Sequence, residues 1–194
     1  MRRWARWLVL GLPALGLAGA GVAIFAAPDP SYRLATWMAL GRYASHDDTL
    51  RRVSAAARVD PLLLKAMAWK QSAFDAGKLG AEGRRGLLQI SEAQGRAWAA
   101  AERVETFMFT DLFDADTNLR TGAWVLARAT AFGKDFDSPE QYALVEFKAG
   151  RERAAEWGKG SSKTAELLRH ADDETRGFVQ AVMSRRDFYR ANGW

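Results

Sequence analysis

The sequence predicts an all-α domain placed behind an N-terminal apolar helix. Three observations carry that expectation. From about Asp47 onward apolar residues recur at helical spacing, and no stretch alternates in the manner of a half-buried strand. Helix-start signals return along the chain, at Asp60-Pro61, at Ser91 with Gln94, and at Ser138-Pro139. Residues 7–27 form a run of 21 residues without a charge, directly after Arg2, Arg3 and Arg6.

The apolar run comes first in the chain. At about 1.5 Å per residue a helix of this length crosses a hydrocarbon core of roughly 30 Å. It is longer than the roughly 7 to 15 apolar residues of a signal peptide, although Ala18-Gly19-Ala20 offers a small-residue cleavage site. The expectation is an uncleaved anchor, with a removed signal as the alternative. Residues 1–6 are then the basic cytoplasmic start, because arginines stay on the cytoplasmic side. That orientation puts the remainder outside the inner membrane. Residues 28–46 read as a linker: Pro28 and Pro30 disfavour helix, and an amphipathic segment follows.

Residues 47–194 read as one helical domain. Asp60 caps a helix that opens with Pro61 and ends near Gln71-Ser72. A glycine-bearing loop occupies residues 73–85. Ser91 and Gln94 make a capping box for the next helix. Asp116 or Thr117 is expected to open the apolar helix that closes at Gly133, and Ser138-Pro139 starts another. Residues 158–163 form a flexible break before a last amphipathic helix that begins at Asp172-Asp173.

Composition excludes several classes. Three of the 28 basic residues are the N-terminal arginines; the other 25 face 23 acidic ones. That near balance gives no support for nucleic-acid binding. With no cysteine there is neither a disulfide framework nor thiol chemistry. His46 and His170 are too far apart in sequence to suggest a zinc site, and no cofactor motif occurs.

Four segments in order resemble the lytic transglycosylase family of the goose-type lysozyme fold. "VDPLLLKAMAWKQSAF" is similar to the family helix that ends in Glu-Ser-x-Phe. "GRRGLLQIS" is similar to Gly-Ala-x-Gly-Leu-Met-Gln-Ile, and its Gly86 lies fifteen residues beyond Gln71. "DLFDADTNLRTGAWVL" is similar to Asp-Leu-x-Asp-Pro-x-x-Asn-Ile-x-x-Gly-x-x-Tyr-Leu. "LVEFKAG" and "DETRGFVQAV" are similar to Ala-Tyr-Asn-Ala-Gly and Glu-Thr-Arg-x-Tyr-Val. The match runs from about residue 50 to 190, so the resemblance implies a lysozyme-like helical domain.

The family cleaves peptidoglycan glycan strands with one glutamic acid, where most glycosidases use two carboxylates. The resemblance implies that this acid protonates the leaving oxygen. As carboxylate it then takes the proton of the sugar's own primary hydroxyl, closing a 1,6-anhydro ring. In this sequence the position is Gln71, whose carboxamide cannot deliver that proton. General acid–base catalysis contributes on the order of 10² to 10⁴ in rate. The family's tyrosine that helps hold the acid is Phe147 here, and the following asparagine is Lys148. The resemblance therefore implies a substrate groove around Gln71, Ser72, Leu88, Gln89, Phe147 and Lys148, with no intact catalytic residue.

Two rival expectations stand beside a silent enzyme. An active transglycosylase would need a displaced carboxylate, for which Glu146 is the candidate; helix geometry turns it about 100° from its neighbours and toward Lys148 or Arg151. An envelope-spanning assembly would instead keep the fold as scaffold, with cell-wall or membrane proteins as partners. Asn118 and Gly122 read as a turn residue and a close helix contact. Arg176 is expected to pair with a buried carboxylate.

Overall fold

The computed structural model describes residues 41–194, and residues 44–194 form one compact unit. The expected anchor at residues 7–27 and most of the linker lie outside the described residues. Among the described residues no helix is long and apolar enough to cross a membrane.

Eight α-helices follow one another among the described residues: α1 (Asp47–Ala57), α2 (Pro61–Ser72), α3 (Glu92–Ala101), α4 (Ala115–Phe132), α5 (Pro139–Ala149), α6 (Arg151–Trp157), α7 (Thr164–His170) and α8 (Asp173–Ala191). Short 3₁₀ turns occupy Ala81–Gly83 and Phe109–Phe113. There is no strand among the described residues, only isolated bridges that pin Arg85 against Leu79 and Ile90. The expected all-α class is what the structure has.

The caps explain most boundaries. The Asp60 carboxylate accepts the Leu62 amide at 2.8 Å ahead of Pro61. Ser91 and Gln94 exchange their hydrogen bonds as a capping box, and the Ser138 hydroxyl accepts from Gln141. The start of α4 differs from the sequence expectation. Asp114, in extended conformation, is the cap and accepts the Thr117 amide at 2.8 Å. Asp116 sits in the first turn and pairs with Arg52 instead. Helices α6 and α7 flank the glycine-rich break at residues 158–163. Helix α6 has no side-chain cap, and the Thr164 N–H that opens α7 is accepted by the distant Asp137 carboxylate at 2.9 Å, so the local sequence announces neither.

The core forms where α4 packs along α5 and α1, and where α8 crosses α2 and α5. Leu64, Met67, Leu119, Ala123, Leu144 and Val182 are fully buried there. Helix α2 is buried nearly all round, Lys65 included. The Lys65 ammonium donates to Asp47 at 2.6 Å and lies 4.2 Å above the Trp194 ring. The Trp194 indole N–H donates to the other Asp47 oxygen at 2.6 Å. Desolvation pulls the Lys65 pKa below its ordinary value, against the opposing pull of Asp47. That knot holds the start of α1 and the end of α8 against α2, the helix that carries Gln71.

Candidate active-site groove

A cavity of about 520 Å³ opens where α2 ends. Gln71 lines it from the last turn of α2, Gln89 from the turn after Gly86, Lys148 from α5, and Asp173, Glu174 and Phe178 from α8. Each wall has a local cause. Helix α2 stops because Ala73 and Phe74 both take the left-handed conformation, with φ of 50° and 62°. Such angles cost a non-glycine residue roughly 1 kcal/mol each. Burial of the Phe74 ring, 1 % exposed, holds the bend and turns the chain away just beyond Gln71.

The second wall is the turn Gly86–Gln89. Gly86 has φ of +76°, and a Cβ there would meet the Asn118 amide and the Leu112 carbonyl, both at 2.2 Å. Asn118, fully buried on α4, accepts the Leu88 N–H at 2.9 Å and donates to the Arg85 and Leu112 carbonyls at 2.8 Å. Gly122, one turn further on, makes its close contact with this turn and not with another helix: a Cβ would lie 2.1 Å from Leu88 Cδ1. Gln89 is 5 % exposed and donates its amide to the Gly86 and Lys78 carbonyls at 2.8 and 3.1 Å. It both braces the turn and faces the cavity.

The six groove residues expected from sequence separate into two layers. Gln71, Gln89 and Lys148 line the cavity. Ser72, Leu88 and Phe147 are buried and are not part of its lining. The Ser72 hydroxyl donates to the Ala68 carbonyl at 3.0 Å, and Leu88 packs on Gly122. Phe147 is 1 % exposed, and its carbonyl accepts from Gln94 on α3. No hydrogen bond from the described residues occupies the Gln71 side-chain amide; its backbone carbonyl accepts Lys78 Nζ at 2.5 Å.

Glu146 is not part of this lining. Its Oε1 accepts two guanidinium N–H groups from Arg151, at 2.8 and 3.1 Å, and its side chain is 4 % exposed. Arg176 departs from expectation: it pairs with Asp173, which is fully exposed, because both lie in the first turns of α8 on the solvent side. The groove acids are thus Asp173 and Glu174, each at the surface and each with a cation, Arg176 and Lys148 respectively. Sequence reasoning passed over Lys70, Lys78 and Arg84, which also line the cavity. Their signal was basic residues spaced along and beside the loop, at positions 70, 78 and 84. Among the described residues no cluster of His, Asp or Glu could hold a metal ion.

Comparison with known proteins gives the same architecture. The lytic transglycosylase Slt of Pseudomonas aeruginosa, solved as an inactive glutamate-to-glutamine mutant, superposes with a TM-score of 0.68 at 24 % identity, covering 77 % of this chain and 24 % of that one. The 70 kDa soluble lytic transglycosylase of Escherichia coli gives 0.67 at 20 % identity, over 76 % of this chain and 24 % of its own. A complex of the 70 kDa soluble lytic transglycosylase with bulgecin A gives 0.70 at 18 % identity, over 92 % and 29 %. The chain therefore spans only 24–29 % of the length of these structures. A search of curated protein sequences returns no match. The family model described as "Transglycosylase SLT domain" matches residues 48–168, from the first turn of α1 into α7. With its groove built on the Gln71 helix end and the Asn118-stapled turn, the chain belongs to the transglycosylase SLT domain family.

Proposed function

We propose that the protein is a membrane-anchored periplasmic domain that binds peptidoglycan glycan strands without cleaving them, as a scaffold or regulator of cell-wall proteins. The observation that carries the reading is Gln71 at the groove wall, where the resemblance places the family's acid. A carboxamide accepts and donates hydrogen bonds to a sugar but has no acidic proton for a leaving oxygen. A general acid in this role also needs a dry, apolar surround that keeps it protonated. The carboxylates of this groove are the opposite: Asp173 and Glu174 have side chains 99 % and 79 % exposed and engaged by cations. Glu146, the candidate substitute, is held by Arg151 and is not part of the lining. A neighbouring structure that is inactive with glutamine for glutamate fits the same reading.

The test incubates the full-length chain with peptidoglycan sacculi, sediments them, and analyses the supernatant for 1,6-anhydro-muropeptides. The expected result is co-sedimentation and no anhydro product. Release of that product, abolished by Glu146→Gln, would replace the reading by an active enzyme with a displaced acid. Absence of co-sedimentation would leave the fold as a scaffold in an envelope assembly.

A further inference from the structure

A second concave surface lies along the seam of α1 and α4, and its lining shares no residue with the Gln71 groove. Two hollows of about 360 and 300 Å³ join there at Ala57 and Ala127, and Ala56 and Ala131 in their floors are exposed. The two helices run in the same direction. Arg52 pairs with Asp116 at one end, and Val59 and Asp60 share the second hollow with Thr130 and Ala131 at the other. On α4 the lining residues Arg120, Trp124, Ala127 and Ala131 stand at i, i+4, i+7 and i+11, a span of about 16 Å. That spacing is how one helix meets another along a seam, and the alanines leave holes where a facing helix inserts side chains. Trp98, 4 % exposed, and the half-buried Trp124 wall the first hollow. The charges are uneven. Of the charged lining residues, Arg52, Asp60 and Glu140 are paired with Asp116, Arg190 and Arg186. Arg58, Arg120 and Glu102 make no ion pair among the described residues, nor does Arg128, which stacks on Trp124 at 4.6 Å. Three exposed guanidinium groups thus stand against one unpaired carboxylate.

We propose that this seam docks an amphipathic helix of a partner protein, with an apolar stripe over the hollows and acidic residues along its flanks. The inference goes beyond the glycan reading and concerns a separate surface. Bulky apolar side chains of the partner occupy the two hollows, and carboxylates beside them meet Arg58, Arg120 and Arg128. Laying an apolar stripe into a groove is a recurrent mode of peptide recognition, and Trp and Arg are the side chains enriched where binding energy concentrates. A second copy of this chain, meeting it through the same face, brings the same hollows and the same cations, so it neither fills the seam nor neutralises it. A membrane surface suits protruding indoles, whereas Trp98 and Trp124 are sunk in the wall of a hollow.

Fluorescence anisotropy on the full-length chain, held in phosphatidylcholine nanodiscs, tests this with synthetic stapled helices. The first probe carries leucines at i, i+4, i+7 and i+11 with glutamates beside them; the second has lysine in place of each glutamate. Saturable binding of the glutamate helix is expected, with the lysine helix weaker by about threefold or more, as two or three exposed ion pairs imply. Ala127→Trp fills the point where the hollows join and abolishes binding. Arg120→Glu with Arg128→Glu reverses the preference, so that the lysine helix binds better. A gain of that kind cannot come from misfolding. Equal affinity for the two probes, or binding that survives Ala127→Trp, would overturn the proposal. Self-association of the chain that Ala127→Trp abolishes would give the seam to a second copy. Displacement of the probe when phosphatidylglycerol enters the discs would give it to the membrane, and either result also overturns the partner helix. Co-sedimentation of these variants with sacculi stays at the wild-type level, so docking and glycan binding fail separately.

Discussion

The carboxamide oxygen of Asn118 lies 2.9 Å from the backbone nitrogen of Leu88, thirty positions earlier in the chain. The same side chain donates at 2.8 Å to the carbonyls of Arg85 and Leu112. One fully buried amide thus satisfies three backbone groups of two irregular segments and fixes the turn that presents Gln89 to the groove. Backbone groups left unpaired in the core cost free energy individually, so this staple concentrates the cost in one residue.

Replacing it is correspondingly severe. Asn118→Ala orphans the Leu88 N–H and the Leu112 carbonyl, at about 1–3 kcal/mol for each group that water does not reach, while the Arg85 carbonyl keeps the Ile90 N–H at 3.0 Å. A loss of about 3 kcal/mol is expected in chemical denaturation of the full-length chain. Asn118→Asp keeps an acceptor for Leu88 but presents no donor to Arg85 and Leu112, and is expected to lose nearly as much. A loss below about 1 kcal/mol for the alanine variant would show that the turn holds itself.

The helix starts were legible in the sequence because they rest on side chains that contact their own backbone: Asp60 with Pro61, Ser91 with Gln94, Ser138 with Pro139. Gly86 was legible for a similar reason, since its conformation is local. What depends on distant residues was hidden. Helices α6 and α7 begin at Gly150 and Lys163 with no cap from those residues; both pack on α5, and the first N–H of α7, Thr164, goes to Asp137, 27 positions earlier. The groove residues were named from motifs, but motif spacing cannot tell a lining residue such as Lys148 from a supporting one such as Phe147 one position earlier. Nor did it separate Glu146, folded back onto Arg151, from the groove acids on α8, a helix that closes the site from the far end of the domain.

Restoring the acid alone is expected to fail. In Gln71→Glu the new carboxylate stands within reach of the Lys78 ammonium, which touches the carbonyl of the same residue, and shares its cavity with Lys148. Nearby cations favour the ionised form and push a carboxyl pKa down, by about 1–3 units for a close partner. That is the wrong direction for a general acid. Gln71→Glu with Phe147→Tyr and Lys148→Asn removes one of the cations and returns the family's hydroxyl. Anhydro-muropeptide release from sacculi is expected from the triple variant and not from the single one. Equal activity of the two would show that the lysines do not control the acid.

Asp172 links the groove to pH through α8. It caps that helix, accepting the Thr175 amide at 2.7 Å, and so sets the first turn that carries Glu174. This hydrogen bond, more than any other influence, holds the Asp172 carboxyl below the usual range. A folded-state pKa below the unfolded one means that the stabilisation is complete above the unfolded value, about 3.9. It is lost as pH falls through the folded value. Asp172→Ala is expected to cost about 1 kcal/mol near neutrality. Relative to wild type the deficit should shrink below about pH 4. A deficit that stays constant into strong acid would rule out the carboxylate cap as its cause.

The knot at Lys65 makes the reverse pH prediction. Its side chain is fully buried on α2, with Asp47 at 2.6 Å as its acidic partner, and Asp47 also receives the Trp194 indole. Asp47→Ala leaves the cation inside the protein without that carboxylate, a change that typically costs about 3–5 kcal/mol. Burial already depresses the Lys65 pKa, and loss of the carboxylate depresses it further. Between that lowered value and the unfolded value of about 10.4, the unfolded chain binds more protons than the folded one. The variant should therefore gain stability as pH rises through this window, as the ammonium gives up its proton. Lys65→Met placed on Asp47→Ala removes the stranded charge and should recover most of the loss while abolishing the pH dependence. Denaturation midpoints of the single and double variants between pH 7 and roughly pH 10 decide it: parallel curves for the two would mean that packing around Trp194, and not the charge of Lys65, sets the cost of losing Asp47.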